Sequence, residues 1–241
     1  MRYNEFGQPI GFALPGWTPR PAPNHEPMIG RYCRLEALNP DQHAASLFAL
    51  HADDPKSWTY MPYGPFSDLA AYTTWMKSSC LGDDPLFFAI IDTAHHRPVG
   101  VASYLRITPA KGVIEIGHLH FTSLLRQTPA ATEAMFLMMQ RAFDLGYRRY
   151  EWKCDSLNEP SHRAALRLGF SFEGIFRQAV VYKERSRDTA WHAIIDSEWP
   201  ALQIAFERWL HPDNFDQEGK QRISLSELTA PIRNPKTLFD F

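Results

Sequence analysis

A short segment between two regular stretches of the chain, residues 126–134 (RQTPAATEA), has the composition of an anion-binding helix start. If Thr128 caps a helix, Pro129 takes the first helical position, where its missing N–H breaks no hydrogen bond. The amides that follow would be free, and the helix dipole favours negative charge beside them. They belong to Ala130, Ala131 and Thr132.

Two polar residues precede this predicted helix. Arg126 and Gln127 would add side-chain donors to the backbone amides, and a guanidinium forms strong hydrogen bonds with phosphate or carboxylate oxygens. The alternative is a well-capped amphipathic helix with Arg126 in solvent. Both interpretations remain open from these residues alone.

A second segment, residues 154–170 (CDSLNEPSHRAALRLGF), also looks like the entrance of a helix. Ser156 and Glu159 have the spacing of a capping box, and Asn158 is a competing cap. Asn158 and Ser161 lie three apart, so on a helix they share a face and could bind an amide-rich ligand. A capped helix without a ligand is the alternative.

Candidate acid–base groups lie in the apolar stretch 112–121 (GVIEIGHLHF). Glu115 is its only carboxylate, and apolar neighbours favour a carboxyl group that can accept a proton near neutral pH. The alternative is an outward-facing residue paired with a basic group. His118 and His120 should share the face opposite Glu115 in a regular strand, although a bulge would change this. Either histidine is a candidate base, acceptor ligand or structural residue.

The elements that must position these residues can be predicted from periodicity. The chain should start its regular part with one strand and two helices, continue with a three-stranded antiparallel meander, and then follow with a helix, a strand, a second helix and a final strand pair. This order predicts an α+β fold, with helices packed on a mixed sheet. The predicted strands are 32–38, 85–92, 98–107, 112–121, 148–155, 179–184 and 189–196, and the helices are 39–53, 67–80, 133–147 and 161–170.

Composition sets limits on the class of protein. The chain has 241 residues and a formal charge of -2, which gives no electrostatic reason to bind nucleic acid or an anionic membrane. Three dispersed cysteines predict neither a disulfide framework nor a zinc site, and the histidines lack a third metal ligand of suitable spacing. No export signal or membrane-spanning run is recognisable, so we expect a cytoplasmic protein.

Three regions are expected along the chain. Residues 1–29 hold six prolines and should form an extended arm, residues 30–199 the main domain, and residues 200–241 a C-terminal helix and tail. The arm is too apolar for a free linker, so we expect it to pack on the domain or on a second subunit, which favours a homodimer.

Together the two helix entrances resemble the GNAT superfamily of acyl-CoA-dependent N-acyltransferases, most closely its RimJ/RimL-like branch of ribosomal-protein-alanine acetyltransferases. The pyrophosphate loop of that family reads Arg/Gln-x-x-Gly-x-Gly/Ala, and its marked positions fall on Arg126, Pro129 and Ala131, followed by the branch's usual TEA. A second motif, Asn-x-x-Ser-x-Arg followed by Leu-Gly-Phe, is matched by Asn158, Ser161, Arg163, Leu168, Gly169 and Phe170. Proline in place of the family's glycine shifts the expected phosphate contacts to Gln127, Thr128, Ala130, Ala131 and Thr132.

The resemblance implies a mostly antiparallel central sheet with a splayed strand pair that holds acetyl-CoA. The pantetheine would lie along the strand that ends at Phe121, and Asn158, Ser161 and Arg163 would add cofactor contacts. A free amine would attack the thioester directly, with Glu115 as the base and a backbone N–H near residues 119–121 as the oxyanion donor. Ala165 replaces a tyrosine often found in the superfamily, so Ser161 or a water would act as the acid.

Two functions follow from the resemblance. The first is an acetyl-CoA-dependent N-acetyltransferase that acts on a small-molecule or peptide amine, with no metal. The second is a CoA-binding sensor or scaffold of the same fold, which Ala165 favours. The aromatic residues Trp58, Tyr60, Tyr63 and Phe66 either wall the acceptor pocket or pack their own loop.

Overall fold

The computed structural model describes residues 2–52 and 54–233. Its strands are β1 (Arg2–Tyr3), β2 (Pro9–Ile10), β3 (Met28–Ile29), β4 (Cys33–Ala37), β5 (Leu86–Asp92), β6 (Arg97–Thr108), β7 (Val113–Phe121), β8 (Arg149–Asp155), β9 (Ser171–Tyr182) and β10 (Arg185–Ile195). Its α-helices are α1 (Pro40–Ala52), α2 (Leu69–Ser79), α3 (Pro129–Asp144), α4 (Glu159–Arg167), α5 (Trp199–Leu210) and α6 (Leu225–Thr229). Short 3-10 helices span Pro55–Trp58, Pro109–Lys111 and Pro212–Asn214.

In this part of the chain, eight strands form one mixed sheet in the order β3-β4-β5-β6-β7-β8-β10-β9. Neighbouring strands are antiparallel except for β7 and β8, which are parallel. A parallel pair needs a crossover connection, and α3 provides it. The predicted α+β class, the antiparallel meander β5-β6-β7 and the final hairpin β9-β10 are confirmed.

The helix α3 follows the predicted pattern closely. It is capped by Thr128, begins at Pro129 and ends before Gly146, whose positive φ of 84° lets the chain turn back. The residues of its apolar stripe are buried or half-buried against the sheet: Met135, Met138, Met139, Ala142 and Phe143. Spacing at 3.6 residues per turn therefore gives the correct inner face.

Two hydrophobic cores cover the two faces of the sheet. One face packs on α3, α4 and α5, with Ile116, Tyr150, Phe170 and Phe206 fully or almost fully buried. The other face packs on α1 and α2 through a cluster that includes Leu47, Trp58, Tyr72, Met76 and Phe87. Among the described residues, this second cluster includes side chains of β5 and β6 and none of β8, β9 or β10.

The carboxylate of Glu133 joins α3 to the edge of the sheet. It accepts backbone N–H groups of Arg31 at 2.8 Å, Tyr32 at 2.6 Å and Cys33 at 2.8 Å, although the side chain is buried. A Cβ at Gly30 would lie 2.4 Å from this carboxylate, so glycine permits the close approach. A buried charge with three donors is well satisfied, and it fixes the chain that leads into β4.

The terminal regions are only partly attached to the domain. In the arm, Trp17 donates to the Ala110 carbonyl at 2.9 Å and Arg141 donates to the carbonyls of Glu26 and Pro27, whereas Phe12 is 90% exposed. In the C-terminal region, α5 contributes buried Leu202 and Phe206 to the main core, and the final LFDF lies outside the described residues. Among the described helices, none has the length and apolar character needed to cross a bilayer.

We predict that Glu133→Ala lowers the free energy of unfolding by about 3 kcal/mol, because it leaves three buried or partly buried N–H groups without an acceptor. Glu133→Gln should lose less, since its amide oxygen still accepts. The measurement is urea denaturation followed by circular dichroism. Glu207→Ala on the exposed face of α5 is the control, with an expected change within about 0.5 kcal/mol. Equal stability of the Glu133→Ala protein and the wild type would contradict the prediction.

Candidate active site

The parallel strands β7 and β8 are paired over only four positions. The register runs from Val113 opposite Arg149 to Ile116 opposite Trp152. Beyond these residues both strands continue, but they no longer pair with each other. The expected splayed strand pair is therefore present. The opening belongs to a cleft of 2170 Å³ lined by both strands, by the start of α3, by α4 and by the β9-β10 hairpin.

A β-bulge lies at the point where the two strands separate. Because Val101 pairs with His120 and Ser103 pairs with Gly117, Ala102 faces two residues of β7, His118 and Leu119. The φ angle of His118 is 51°. A bulge leaves one residue of the strand outside the ladder and bends the strand, which turns the end of β7 away from β8.

The bulge also decides which way the histidines face. His118 and His120 lie on the same side of the sheet as Glu115, towards α1 and α2, instead of opposite to it. The expectation for a regular strand is wrong here, because one additional residue reverses the alternation of side chains. Gly117, directly before the bulge, was a signal for this in the sequence, since an isolated glycine inside a strand often marks a bulge.

The loop before α3 has the predicted cap but fewer free donors than expected. The Thr128 hydroxyl accepts the N–H of Ala131 at 3.3 Å, so this amide is engaged rather than free. Ala130 and Thr132 are buried, and Gln127 has a positive φ of 63°. A ligand that uses the Ala131 amide must therefore replace a long hydrogen bond to the cap.

Arg126 is neither free in solvent nor directed only at the loop. Its guanidinium forms an ion pair with Asp54, which follows α1 and lies 72 positions earlier. The hydrogen bond from Arg126 lowers the pKa of Asp54 below its usual value. Arg126 remains 42% exposed and lines the cleft, so an anionic ligand would compete with Asp54 for it.

The N-cap of α4 is Asn158. Its side-chain oxygen accepts the Ser161 N–H at 3.3 Å, and the capping box expected from Ser156 is not the one used. The Ser161 hydroxyl accepts the Trp152 indole N–H at 3.0 Å. Its own hydrogen can be donated, and the Cys154 thiol is a partner within reach, since a hydrogen bond from Ser161 opposes the rise in the pKa of Cys154 that burial causes. Arg163 points to the surface, where it pairs with Glu159 at 3.2 Å.

Another arginine of α4 was missed by the sequence analysis. Arg167 is half-buried in the cleft and donates to the Thr132 hydroxyl at 3.0 Å, which joins α4 to the first turn of α3. Its guanidinium also lies 5.0 Å from the Trp209 ring. Helical spacing could have suggested it, because Arg163 and Arg167 are four residues apart and share one side of α4. Phe121 is half-buried beside the same cleft.

Glu115 lies inside a buried ionic network. Its two oxygens are 2.6 and 2.7 Å from Arg106 Nη1, and Lys153 Nζ is 2.7 Å from Oε2. Lys153 also pairs with Glu151 at 2.8 Å and lies 3.8 Å from the centre of the Trp191 ring. The alternative of pairing with basic groups is correct, but the residue is buried rather than outward-facing. To accept a proton, Glu115 must release one cation, and Arg106 is the more exposed of the two.

The histidines form a buried layer beneath the loop that follows α1. The rings of His51 and His120 stack with centres 3.5 Å apart. His120 Nε2 lies 3.0 Å from the Ser57 hydroxyl, which donates to the Asp54 carbonyl at 2.7 Å. Ser57 therefore accepts the Nε2–H of His120, which leaves Nδ1 as the unprotonated nitrogen. His118 Nδ1 is 3.1 Å from the Tyr63 hydroxyl.

Burial keeps all three rings neutral. Desolvation lowers the pKa of His118 from 6.5 to about 4, and the pKa of His51 also to about 4. The same effect, with a contribution from His51, lowers the pKa of His120 to about 2. A neutral imidazole can accept a proton, but a ring with so low a pKa holds it weakly.

The aromatic loop mainly packs. Trp58 is buried, and Tyr63 and Phe66 surround it with ring centres 6.1 and 5.5 Å away. Tyr60 differs, since its hydroxyl reaches the Leu157 carbonyl at 3.0 Å across the cleft. Packing of their own loop is thus the main role of these residues, with Tyr60 as the one that borders the cleft. In the described part of the chain, no three His, Cys, Asp or Glu side chains are grouped to hold a metal.

Comparison with known proteins agrees with this geometry. The family model of the acetyltransferase (GNAT) domain matches residues 33–171. A GCN5-related N-acetyltransferase from Brucella melitensis is 50% identical, with 90% of this chain and 100% of that chain covered and a TM-score of 0.88. A probable acetyltransferase of the GNAT family from Chromobacterium violaceum is 41% identical, with 80% and 98% covered and a TM-score of 0.76.

A more distant structure adds a ligand-bound example of the fold. The microcin C7 self-immunity acetyltransferase, in complex with acetyl-CoA and AMP, is 21% identical with a TM-score of 0.61. The alignment covers 69% of this chain and 93% of that chain. At this identity the likeness concerns the fold. No curated protein sequence is significantly similar to the chain.

We predict that His51→Leu reduces the acid sensitivity of the fold. Both ring nitrogens of His51 lack a hydrogen-bond partner among the described residues, and burial lowers the pKa to about 4. The unfolded chain therefore binds the proton first, and stability is lost as the pH falls from about 6.5 towards 4. Between pH 7 and pH 5, the variant should lose less unfolding free energy than the wild type, by on the order of 2 kcal/mol.

Urea denaturation at the two pH values measures this difference. His95→Leu is the matched control, because its side chain is 74% exposed and its replacement should leave the pH dependence nearly unchanged. An identical loss of stability in the His51→Leu variant and the wild type would refute the assignment.

Proposed function

Because the chain belongs to the GNAT family of N-acetyltransferases, we propose that it transfers an acetyl group from acetyl-CoA to a primary amine. The observation that carries this proposal is the separation of β7 and β8 after four paired residues, with a donor-rich helix start at the end of the opening. A thioester laid between the strands would meet unpaired backbone groups of β7 while its phosphates reach the loop before α3.

The cofactor contacts divide between two elements. On the loop, we assign the pyrophosphate to the side chains and amides of Arg126, Gln127, Thr128, Ala130, Ala131 and Thr132. On α4 we assign further contacts to Asn158, Ser161 and Arg163, and the structure adds Arg167, which already joins the two elements. The pantetheine lies along β7 as far as Phe121. Acetyl-CoA is the co-substrate, and no metal takes part in this proposal.

The transfer can be written with the residues that line the opening. The neutral amine attacks the thioester carbonyl carbon, and a backbone N–H beside the His118–Leu119 bulge stabilises the oxyanion. Glu115 accepts the surplus proton of the amine once the Arg106 guanidinium no longer bonds to one of the Glu115 carboxylate oxygens. The C–S bond then breaks, and Ser161 donates a proton to the departing sulfur and recovers one from water. A neutral histidine, His118 or His120, is the alternative base.

A CoA-binding sensor or scaffold is the second candidate function. Two observations favour it: Ala165 is fully buried where the superfamily often has a tyrosine acid, and both oxygens of Glu115 are already occupied. Such a protein would bind acetyl-CoA without acetylating an amine.

The finer assignments are also proposals. The two motifs support the RimJ/RimL-like branch, whose acceptors include protein N-termini, and a small-molecule amine is the other acceptor class. The balanced composition supports a cytoplasmic location without nucleic-acid or membrane partners. The exposed apolar residues of the arm support a homodimer.

We predict that acetyl-CoA binds with micromolar affinity and that Ala131→Asp weakens binding by about 100-fold, because it places a carboxylate against the pyrophosphate. Arg126→Glu should act in the same direction. Calorimetric titration measures both, with Arg177→Glu on the exposed strand β9 as the control, which should bind normally. A folded wild type that does not bind acetyl-CoA would remove the cofactor site from the proposal.

For the base, we predict that Glu115→Gln lowers kcat by about 100-fold or more while the acetyl-CoA affinity stays within about threefold. His118→Gln and His120→Gln should have smaller effects on kcat. Steady-state kinetics with a saturating amine, together with calorimetry, separates turnover from binding. If Glu115→Gln keeps full activity and a histidine variant loses it, that histidine is the base. If the wild type acetylates no amine, the result favours the CoA-binding sensor.

A further inference from the structure

The cleft has a second half, on the side of the sheet opposite to α3 and α4. This half is bordered by β8, β9 and β10, to which the described residues of the cluster beneath α1 and α2 do not extend, and by the loop after α1. We call it the acceptor half. Its floor on β10 consists of Arg187, Thr189 and Trp191, which alternate on one face of the strand.

The carboxylates of Glu115 and Asp155, which line the acceptor half, already have hydrogen-bond partners. Glu115 pairs with Arg106 and Lys153. Asp155 is buried and accepts the Tyr182 hydroxyl at 2.8 Å and the Leu157 N–H at 2.9 Å. To form an ion pair here, a second positive charge on an acceptor would have to displace Arg106 or Lys153 from Glu115, or the Tyr182 hydroxyl from Asp155, which argues against diamines and polyamines.

Arg187 differs from these carboxylates because its charged group is still available to a ligand. Its Nε donates to the Thr189 hydroxyl at 3.1 Å, which holds the side chain along the strand, and it forms no ion pair with any described residue. The terminal nitrogens remain available, and a guanidinium held in this way can bind a carboxylate or a phosphate with two parallel hydrogen bonds. Its charge also reaches the opening between the strands, where it opposes the rise in the pKa of Cys154 that burial causes.

Further cations lie at the rim. Lys183 donates to the Trp58 carbonyl at 2.8 Å and Arg185 donates to the Thr59 carbonyl at 2.7 Å. Both groups use backbone oxygens as partners, so their charges are not cancelled. Arg187 and the two rim cations place three positive charges along this side of the cleft, where they can attract an anionic ligand.

Between Arg187 and the reacting end lies an apolar wall. The Phe176 ring packs 4.6 Å from the Trp191 ring and is 56% exposed, and Val180 is 40% exposed. Four residues of strand separate Arg187 from Trp191, roughly 13 Å, and the arginine side chain reaches back towards Thr189. The space fits an apolar body of several carbon atoms.

From this arrangement we propose that the acceptor amine carries an anionic group, a carboxylate or a phosphate, beyond an apolar body, and that Arg187 binds that group. The inference rests on the proposed acetyl transfer and specifies the class of its acceptor. Arg187 is then the residue that determines specificity, while the amine itself lies near Glu115 and Lys153.

Four amines of equal length test the proposal, because they differ only in the group at the far end: hexylamine, aminohexanoate, aminohexyl phosphate and hexanediamine. With acetyl-CoA, the kcat/KM of at least one anionic amine should exceed that of hexylamine by about tenfold or more, and hexanediamine should be the poorest. Whichever anion is preferred distinguishes a carboxylate acceptor from a phosphate acceptor.

The variant Arg187→Gln should abolish this preference while the kcat/KM of hexylamine stays unchanged. Arg187→Lys keeps the charge without the planar fork and should retain part of it. Arg177→Gln is the control and should behave as the wild type, because the Arg177 side chain is exposed and does not line the cleft, although its strand β9 borders it. Equal use of hexylamine and both anionic amines, or a preference that survives in Arg187→Gln, would overturn the proposal.

Calorimetry distinguishes failure of the proposed anion site at Arg187 from failure of the proposed acetyl transfer. If the wild type does not bind acetyl-CoA, the acetyltransferase proposal fails, and this inference fails with it. If acetyl-CoA binds but none of the four amines is acetylated, titration of the acetyl-CoA complex with hexanoate and hexyl phosphate decides. Binding of either by the wild type and not by Arg187→Gln supports the anion site, and equal behaviour of the two proteins rejects it.

Discussion

The short parallel pairing of β7 and β8 is the constraint on which the remainder of the site depends. Four paired positions hold the strands together, and the bulge at His118 and Leu119 then bends β7 towards its antiparallel neighbour β6. Because the crossover from β7 to β8 passes through α3, the first turn of that helix must lie at the open end of the gap. The gap, and the position of the loop at its open end, therefore follow from the local change in the sheet and the crossover.

The position of the ionic network around Glu115 follows from the register of β7 and β8. Glu115 on β7 faces Glu151 on β8, and Lys153 lies two residues further along, at the first position beyond the paired segment. Two buried carboxylates side by side would repel each other, and the ammonium group of Lys153 is 2.7 and 2.8 Å from them. Desolvation of so many charges is unfavourable unless each has a partner, and here each does. The network consequently stiffens the strands where they start to separate.

The loop after α1 links the two halves of the cleft. Asp54 reaches Arg126 on the cofactor side, Ser57 positions His120 beneath the opening, and the carbonyls of Trp58 and Thr59 accept from the β9-β10 hairpin. Trp58 anchors this segment in the core between α1, α2 and the sheet. A change on one side of the cleft can reach the other through this loop, since the same few residues contact both.

The sequence by itself determined the local features of the protein. Spacing and capping residues gave the start of α3 at Pro129, its buried stripe and its end at Gly146, because these depend on side chains within four residues of one another. The order of strands and helices gave the fold class, and the two motifs gave the family. Asn158 was recognisable as a cap, although Ser156 could not be eliminated.

Tertiary structure decided what those residues contact. Arg126 meets Asp54, and Glu115 meets Lys153, only because distant segments are brought together by the sheet. The side to which His118 points depends on one additional residue in β7, and the position of Arg187 in the cleft lining depends on which face of β10 is open to the cleft. Such contacts depend on strand register and on what packs above each face. A linear pattern does not encode them, since a shift of one residue reverses every side chain.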